Sequence, residues 1–276
     1  MSELTYASYL QLETLLGLQQ PRSTPPEHDE MLFIVIHQVY ELWFKEMLHE
    51  VEKVKRDFTS GDLYGAIHTF KRVRTIMKTL VQQLDILETM TPMSFSAFRD
   101  RLDTASGFQS YQFREFEFVM GYKRPHMLKF AVGDAARAAL EKRLAERSVV
   151  DHFYDFLAHQ GVAIPAALRG KPADAADRAD EAIQRSLLHL YTSRPELAIL
   201  FESMTDLDEG FQEWKYRHVK LVERTIGNKK GTGGSMGVEF LKQSLFQPLF
   251  PDLWPLAVLA AIALSGASWM FRHRLE

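Results

Sequence analysis

Residues 197, 200, 204, 207, 211 and 214 are apolar and step by three and four, and Leu221 continues the series. The position this rhythm expects between Trp214 and Leu221 is 218, which holds a histidine. A helix over this stretch turns His218 inward, and a buried imidazole must find a partner. Two chemistries satisfy it. A backbone carbonyl can accept its N–H, as in an ordinary core histidine. Alternatively, the neutral ring can bind iron or another metal, alone or in a haem. Lys215, Arg217, Lys220 and Arg224 lie around it, placed either to meet anionic groups of a ligand or to form a solvated face.

A second histidine, His37, follows Phe33 by four residues and so shares a helix face with it. It is either a partly buried structural group or a polar point in an aromatic pocket. Phe95, Arg99 and Leu102 fall at i, i+4 and i+7, which places a guanidinium on an apolar stripe. Such an arginine snorkels, pairs with an acid, or forks onto a substrate carboxylate. Charged hydrogen bonds of the last kind contribute about 1.5–3 kcal/mol each. The segment GTGGS at 231–235 lacks the Gly-Lys-Ser/Thr of a phosphate loop. Its glycines allow close approach of a ligand to backbone, Thr232 offers a hydroxyl, and Ser235 can cap a following helix. Glu46 and His49 have the spacing found in carboxylate di-iron bundles, but no second Glu-x-x-His exists and charged neighbours surround them. A solvated face fits them better.

The elements that must hold these residues are helices. Leu32, Ile36, Val39, Trp43, Met47, Val51, Val54 and Phe58 mark one over about 29–58. Ile67, Phe70, Val73, Ile76, Leu80, Leu84 and Leu87 mark another over about 63–90, and the break between them implies an antiparallel hairpin. Shorter helices are expected at about 94–102 and from 107 to about Met120, with Pro125 ending that run. Residues 133–195 are more polar and rich in alanine, and read as an accessory helical insertion. A last long helix spans about 196–226, with Pro195 at its start. No alternation suggests a strand. The fold class is all-α, with residues 1–276 as a single domain.

The hydrophobic fraction of 46% supports a substantial core, and a net charge of −3 gives no footprint for nucleic acid. The absence of cysteine excludes disulfides, iron–sulfur clusters and thioether or thiolate haem attachment. MSELTYASYL has neither the basic nor the apolar region of a secretory signal, so a cytoplasmic location is expected. From Leu253 to Phe271 no residue is charged, which meets the length of a membrane span. Its alanines, serines, Pro255 and Gly266 instead favour a helix packed on protein, so no membrane association is expected.

Five stretches together resemble the tryptophan 2,3-dioxygenases: LTYASYLQLETLLGLQ (4–19), HDEMLFIVIHQVYELWFKEMLHE (28–50), LVQQLDILETMTPMSFSAFRDRL (80–102), ASGFQSYQFREFEFVMG (105–121) and WKYRHVKLVERTIGNKKGTGGS (214–235). The resemblance covers roughly 4–253, is weaker over 133–195, and does not extend to the apolar C-terminal run. It implies long antiparallel helices around a pocket for one non-covalent haem b per subunit. It implies O₂ insertion across the indole C2–C3 bond of L-tryptophan to give N-formylkynurenine, the first step of tryptophan catabolism through kynurenine. His218 matches the axial ligand of the haem iron, and His37 the distal histidine that orients the indole N–H. Arg99 matches the partner of the substrate carboxylate, and Phe33, Phe95 and Leu102 the indole wall. Ser106 and Gly107 match the junction beside haem and substrate, and Thr232 the hydroxyl near the substrate ammonium. Tyr6, Tyr9 and Leu10 match an N-terminal helix, over 4–18 here, that enters a neighbouring subunit's pocket in a homotetramer. A helical haem-binding sensor or carrier would keep His218 without needing Arg99 and Thr232. A membrane-tethered scaffold would rest on 253–271 alone.

Overall fold

A computed structural model describes residues 3–168, 179–227 and 237–254. Among them the regular elements are all helical. They run α1 (Tyr6–Tyr9), α2 (Leu12–Leu16), α3 (His28–Ser60), α4 (Leu63–Leu87), α5 (Pro92–Arg99), α6 (Tyr111–Met120), α7 (Asp134–Ala145), α8 (Val149–His159), α9 (Glu181–Ser193), α10 (Pro195–Ile226) and α11 (Val238–Lys242), with short 3₁₀ turns at 107–109, 125–130 and 166–168.

Three long helices form the frame. At 1.5 Å per residue, the 33 residues of α3 reach about 50 Å. Helix α3 ends at Gly61, whose φ of +74° suits a residue without Cβ, and Asp62 then caps α4 by accepting from Gly65 N. The α3–α4 hairpin expected from sequence follows from this two-residue punctuation. Helix α4 packs against both α3 and α10. The inward rows of all three helices form one core, with Met47, Val54, Phe58, Phe70, Leu80, Leu84, Leu200, Met204 and Phe211 almost completely buried. Arg217 ties α10 to α4 by bonding Asp85 (2.6 Å), Glu88 (2.9 Å) and the Val81 carbonyl (3.3 Å).

Three local readings change. Within 133–195, α8 and α9 belong to the main core: Phe153 and Phe156 of α8 lie 5.5 and 5.3 Å from the Phe58 ring, and Ile183 and Leu187 of α9 are buried in the same cluster. The polar texture of α7 and the linker masks the apolar face of α8. The N-terminal helix is two short pieces, broken where Gln11 takes a left-handed φ of 52°. Thr91 caps α5 with Pro92 in its first turn, so that helix starts earlier than periodicity suggests and Leu102 lies past its end.

Near the far end, Asp208 of α10 is buried and accepts from Leu249 N (2.8 Å), Phe250 N (3.1 Å) and Trp254 Nε1 (2.9 Å). This carboxylate fastens residues 249–254 to α10. No helix among the described residues is long and apolar enough to cross a membrane. The apolar run lies outside the described residues apart from Leu253 and Trp254.

Candidate functional site

A cavity of about 270 Å³ opens where α3, α5, α6 and α10 converge. Helix α3 contributes Phe33, His37, Tyr40, Glu41 and Phe44, and α10 contributes Trp214, Lys215, His218 and Leu221. Phe95 and Arg99 come from α5, and Leu102, Ser106 and Gly107 from the turn that follows. Seven of the residues singled out from sequence (Phe33, His37, Phe95, Arg99, Leu102, Ser106 and Gly107), contributed by segments up to 74 positions apart, therefore meet His218 around one space.

Burial is the main cause holding the His218 imidazole down at about 4, with the charges of His37 and Arg114 adding to it. It is therefore neutral at pH 7. Its plane lies 5° from that of Trp214, at 5.0 Å between centroids. Among the described residues no hydrogen bond acts on the ring, so a lone pair remains for a ligand. No group of three His, Asp or Glu converges there among the described residues, so a bare ion would lack further side-chain ligands. A haem supplies its own four equatorial nitrogens and asks the protein for one axial donor. Gly107 adds to the fit: it lines the cavity, and a Cβ built on it would meet nothing within 4 Å. The residues present fit a haem.

His37 has a defined tautomer. Its Nδ1 lies 2.7 Å from the Phe33 carbonyl, which can only accept, so Nδ1 carries a hydrogen. Burial lowers its proton affinity against the smaller opposing effects of that bond and of Glu41. In the neutral ring Nε2 is then an acceptor. Phe33 packs on His37 at 4.1 Å, on Phe95 at 5.8 Å and on Phe98 at 5.5 Å, which makes one wall aromatic. Ser106 caps the turn at 107–109 by accepting from Phe108 N, which holds Gly107 at the wall.

Some expected residues stand apart. Thr232 and Ser235 lie outside the described residues, although the flanking Ile226 and Gly237 both line the cavity. Tyr6, Tyr9 and Leu10 are exposed and do not line this chain's own cavity. His49 is exposed, in keeping with a solvated face. Of the cations around His218, Arg217 points to α4 and Lys220 to Glu223, while Lys215 is buried.

Sequence reasoning named Lys215 beside His218 but missed the polar part of the cavity wall that it helps to form. Arg114 and Lys215 line it, and both contact the fully buried Glu117. Burial alone would raise the Glu117 carboxyl, yet the charges of Arg114, Lys215 and Arg124 bring it down to about 2. The available signal was the run FREFEF at 113–118, where charges alternate with three phenylalanines and so cannot all face water.

Comparison with known proteins matches residues 1–160 and 177–259 to the family described as tryptophan 2,3-dioxygenase. The chain is 52% identical over 253 residues to the tryptophan 2,3-dioxygenase of Herpetosiphon aurantiacus, covering 92% of this chain and 97% of that protein. It is 50% identical over 252 residues to that of Anaeromyxobacter sp. (91% and 94% covered) and 43% identical over 254 residues to that of Rhodococcus jostii (91% and 89% covered).

Proposed function

We propose a function that proceeds from one premise: this chain belongs to the tryptophan 2,3-dioxygenase family. It is a haem-dependent dioxygenase that inserts both atoms of O₂ across the indole C2–C3 bond of L-tryptophan and yields N-formylkynurenine. The observation that carries this reading is the pairing, in one cavity, of a neutral imidazole without a hydrogen bond among the described residues and a guanidinium on an aromatic wall.

The cofactor would be haem b, held without covalent attachment in a chain that has no cysteine, with His218 to hold its iron and Ser106 and Gly107 beside it. When bound, it supplies the reduced iron at which O₂ is activated. The chain's own residues bind and orient. Phe33, Phe95 and Leu102 take the apolar indole and exclude water. His37 Nε2 accepts the indole N–H and so fixes which edge of the ring faces the cofactor; because that N–H is a very weak acid, no proton need leave it. Arg99 forks onto the carboxylate, and Thr232 meets the ammonium.

The subunit is one of four. Tyr6 and Tyr9 are 76% and 71% exposed on a segment that buries nothing in its own chain, which suits insertion beside a neighbour's cavity together with Leu10. Gln19 and Gln38 join this segment to α3, the helix that carries His37. A cytoplasmic location fits the lack of cysteine. The test is direct: the haem-loaded, reduced chain with L-tryptophan and O₂ must release N-formylkynurenine, and none should form without haem.

A further inference from the structure

Three cations meet a single carboxylate beside the cavity. Arg114 and Arg124 each contact Glu117 Oε2 at 2.5 Å, and Lys215 Nζ lies 3.4 Å from Oε1. Glu117 is wholly buried, and the side chains of Arg114 and Lys215 nearly so. Among the described residues no second carboxylate contacts any of the three cations. Formal charges therefore leave an excess of two positive charges in a place with little water. Arg114 Nε is buried without a hydrogen-bond partner among the described residues. Lys215 Nζ also lies 4.4 Å from the Phe211 ring centroid and 5.0 Å from that of Tyr122, contacts that favour the charged ammonium.

The cluster is aimed at the site. Arg114 and Lys215 line the cavity, and Lys215 stands three residues before His218 on α10. Ferric haem carries one more positive charge than ferrous haem. A fixed positive field beside it favours the reduced state, and buried charges are weakly screened by salt. We propose that the Glu117 cluster sets the reduction potential of a haem bound through His218: Arg114, Arg124 and Lys215 favour ferrous iron, and Glu117 limits that preference. The equilibrium adds one electron to ferric iron, supplied in a titration by dithionite through mediators. Glu117 is thus a positioning and field-setting residue, not one that touches substrate. The inference rests on the reading of His218 as the haem ligand.

The test is spectroelectrochemical titration of the full-length, haem-loaded chain at neutral pH. Glu117→Gln removes the negative charge with little change of shape, and the potential should rise. Lys215→Met removes a positive charge, and the potential should fall. The double variant should return toward wild type. If Lys215→Met does not fold, Arg124→Met, at the more open edge of the cluster, replaces it with the same expected sign. Structural loosening would let water in and move both single variants the same way. Shifts of one sign, or none, in proteins that keep haem and the wild-type axial-ligand spectrum overturn this inference alone. Failure of His218 as ligand shows separately, as a wild-type haem spectrum indifferent to replacement of His218.

Discussion

The His218 imidazole and the Trp214 indole are parallel, one helical turn apart on α10, with 5.0 Å between centroids and 5° between planes. Trp214 is held in turn by Phe113 at 5.1 Å and Tyr40 at 6.0 Å. Its Nε1 lies beside the Tyr40 hydroxyl without a hydrogen bond of ordinary geometry, and that hydroxyl donates to the Leu80 carbonyl at 2.8 Å. The indole therefore works as a flat stop that fixes the rotation of the imidazole.

That stack makes Trp214 a determinant of haem retention. An aromatic pair adds about 0.5–1.5 kcal/mol beyond burial, so losing it should speed haem loss roughly two- to tenfold. Trp214→Ala should release haem to a scavenger faster by that factor, and should also lower fold stability by about 3–5 kcal/mol. Trp214→Phe keeps a ring and should stay near wild type on haem loss. Equal rates for all three proteins would mean the stack does not hold the ligand.

Arg99 should read the substrate carboxylate through its fork as well as its charge. Lysine offers a point charge on another stem and cannot make two parallel bonds. Arg99→Lys should raise KM for L-tryptophan about tenfold, near 1.4 kcal/mol. Tryptamine lacks the carboxylate, and its weak binding should be indifferent to the change. A two-by-two comparison of proteins and ligands decides it. Equal losses for both ligands would reduce Arg99 to structural support.

Acid should destabilise the haem-free protein through His218. The unfolded chain takes up this proton near pH 6.5 and the folded chain only near pH 4. The stability this difference contributes is complete above about 6.5 and declines as pH falls through that window toward 4. Between pH 7.5 and 5 the loss is about 2 kcal/mol. Denaturant unfolding of wild type and His218→Gln at both pH values measures it. A wild-type slope with pH no steeper than that of the variant would show that His218 is not buried as a neutral ring.

The long helices and the inward place of His218 were legible because three- and four-residue steps persist for more than twenty residues, and Gly61–Asp62 and Pro195 punctuate them. Phe95, Arg99 and Leu102 were legible as a stripe, although the helix ends at Arg99 and Leu102 reaches the wall from a turn. Residues drawn together from distant segments were not legible by spacing. Trp214 looks like any core residue until its plane against His218 is known. Arg114, Glu117 and Lys215 look like surface charges until α6 and α10 bring them together, and α8 looks peripheral until Phe153 and Phe156 close on Phe58. Sequence periodicity reports which face of a helix is apolar, and says nothing of which helix that face will meet.

The central claim, that His218 holds the haem iron, is tested most directly by His218→Gly with and without added imidazole. Glycine removes the donor and leaves a space of about the size of the lost ring beside Trp214. Without imidazole the variant should carry little haem and form no N-formylkynurenine. With imidazole it should regain haem, a histidine-like axial spectrum and part of the activity. A variant that binds haem with the wild-type spectrum without imidazole would contradict the assignment.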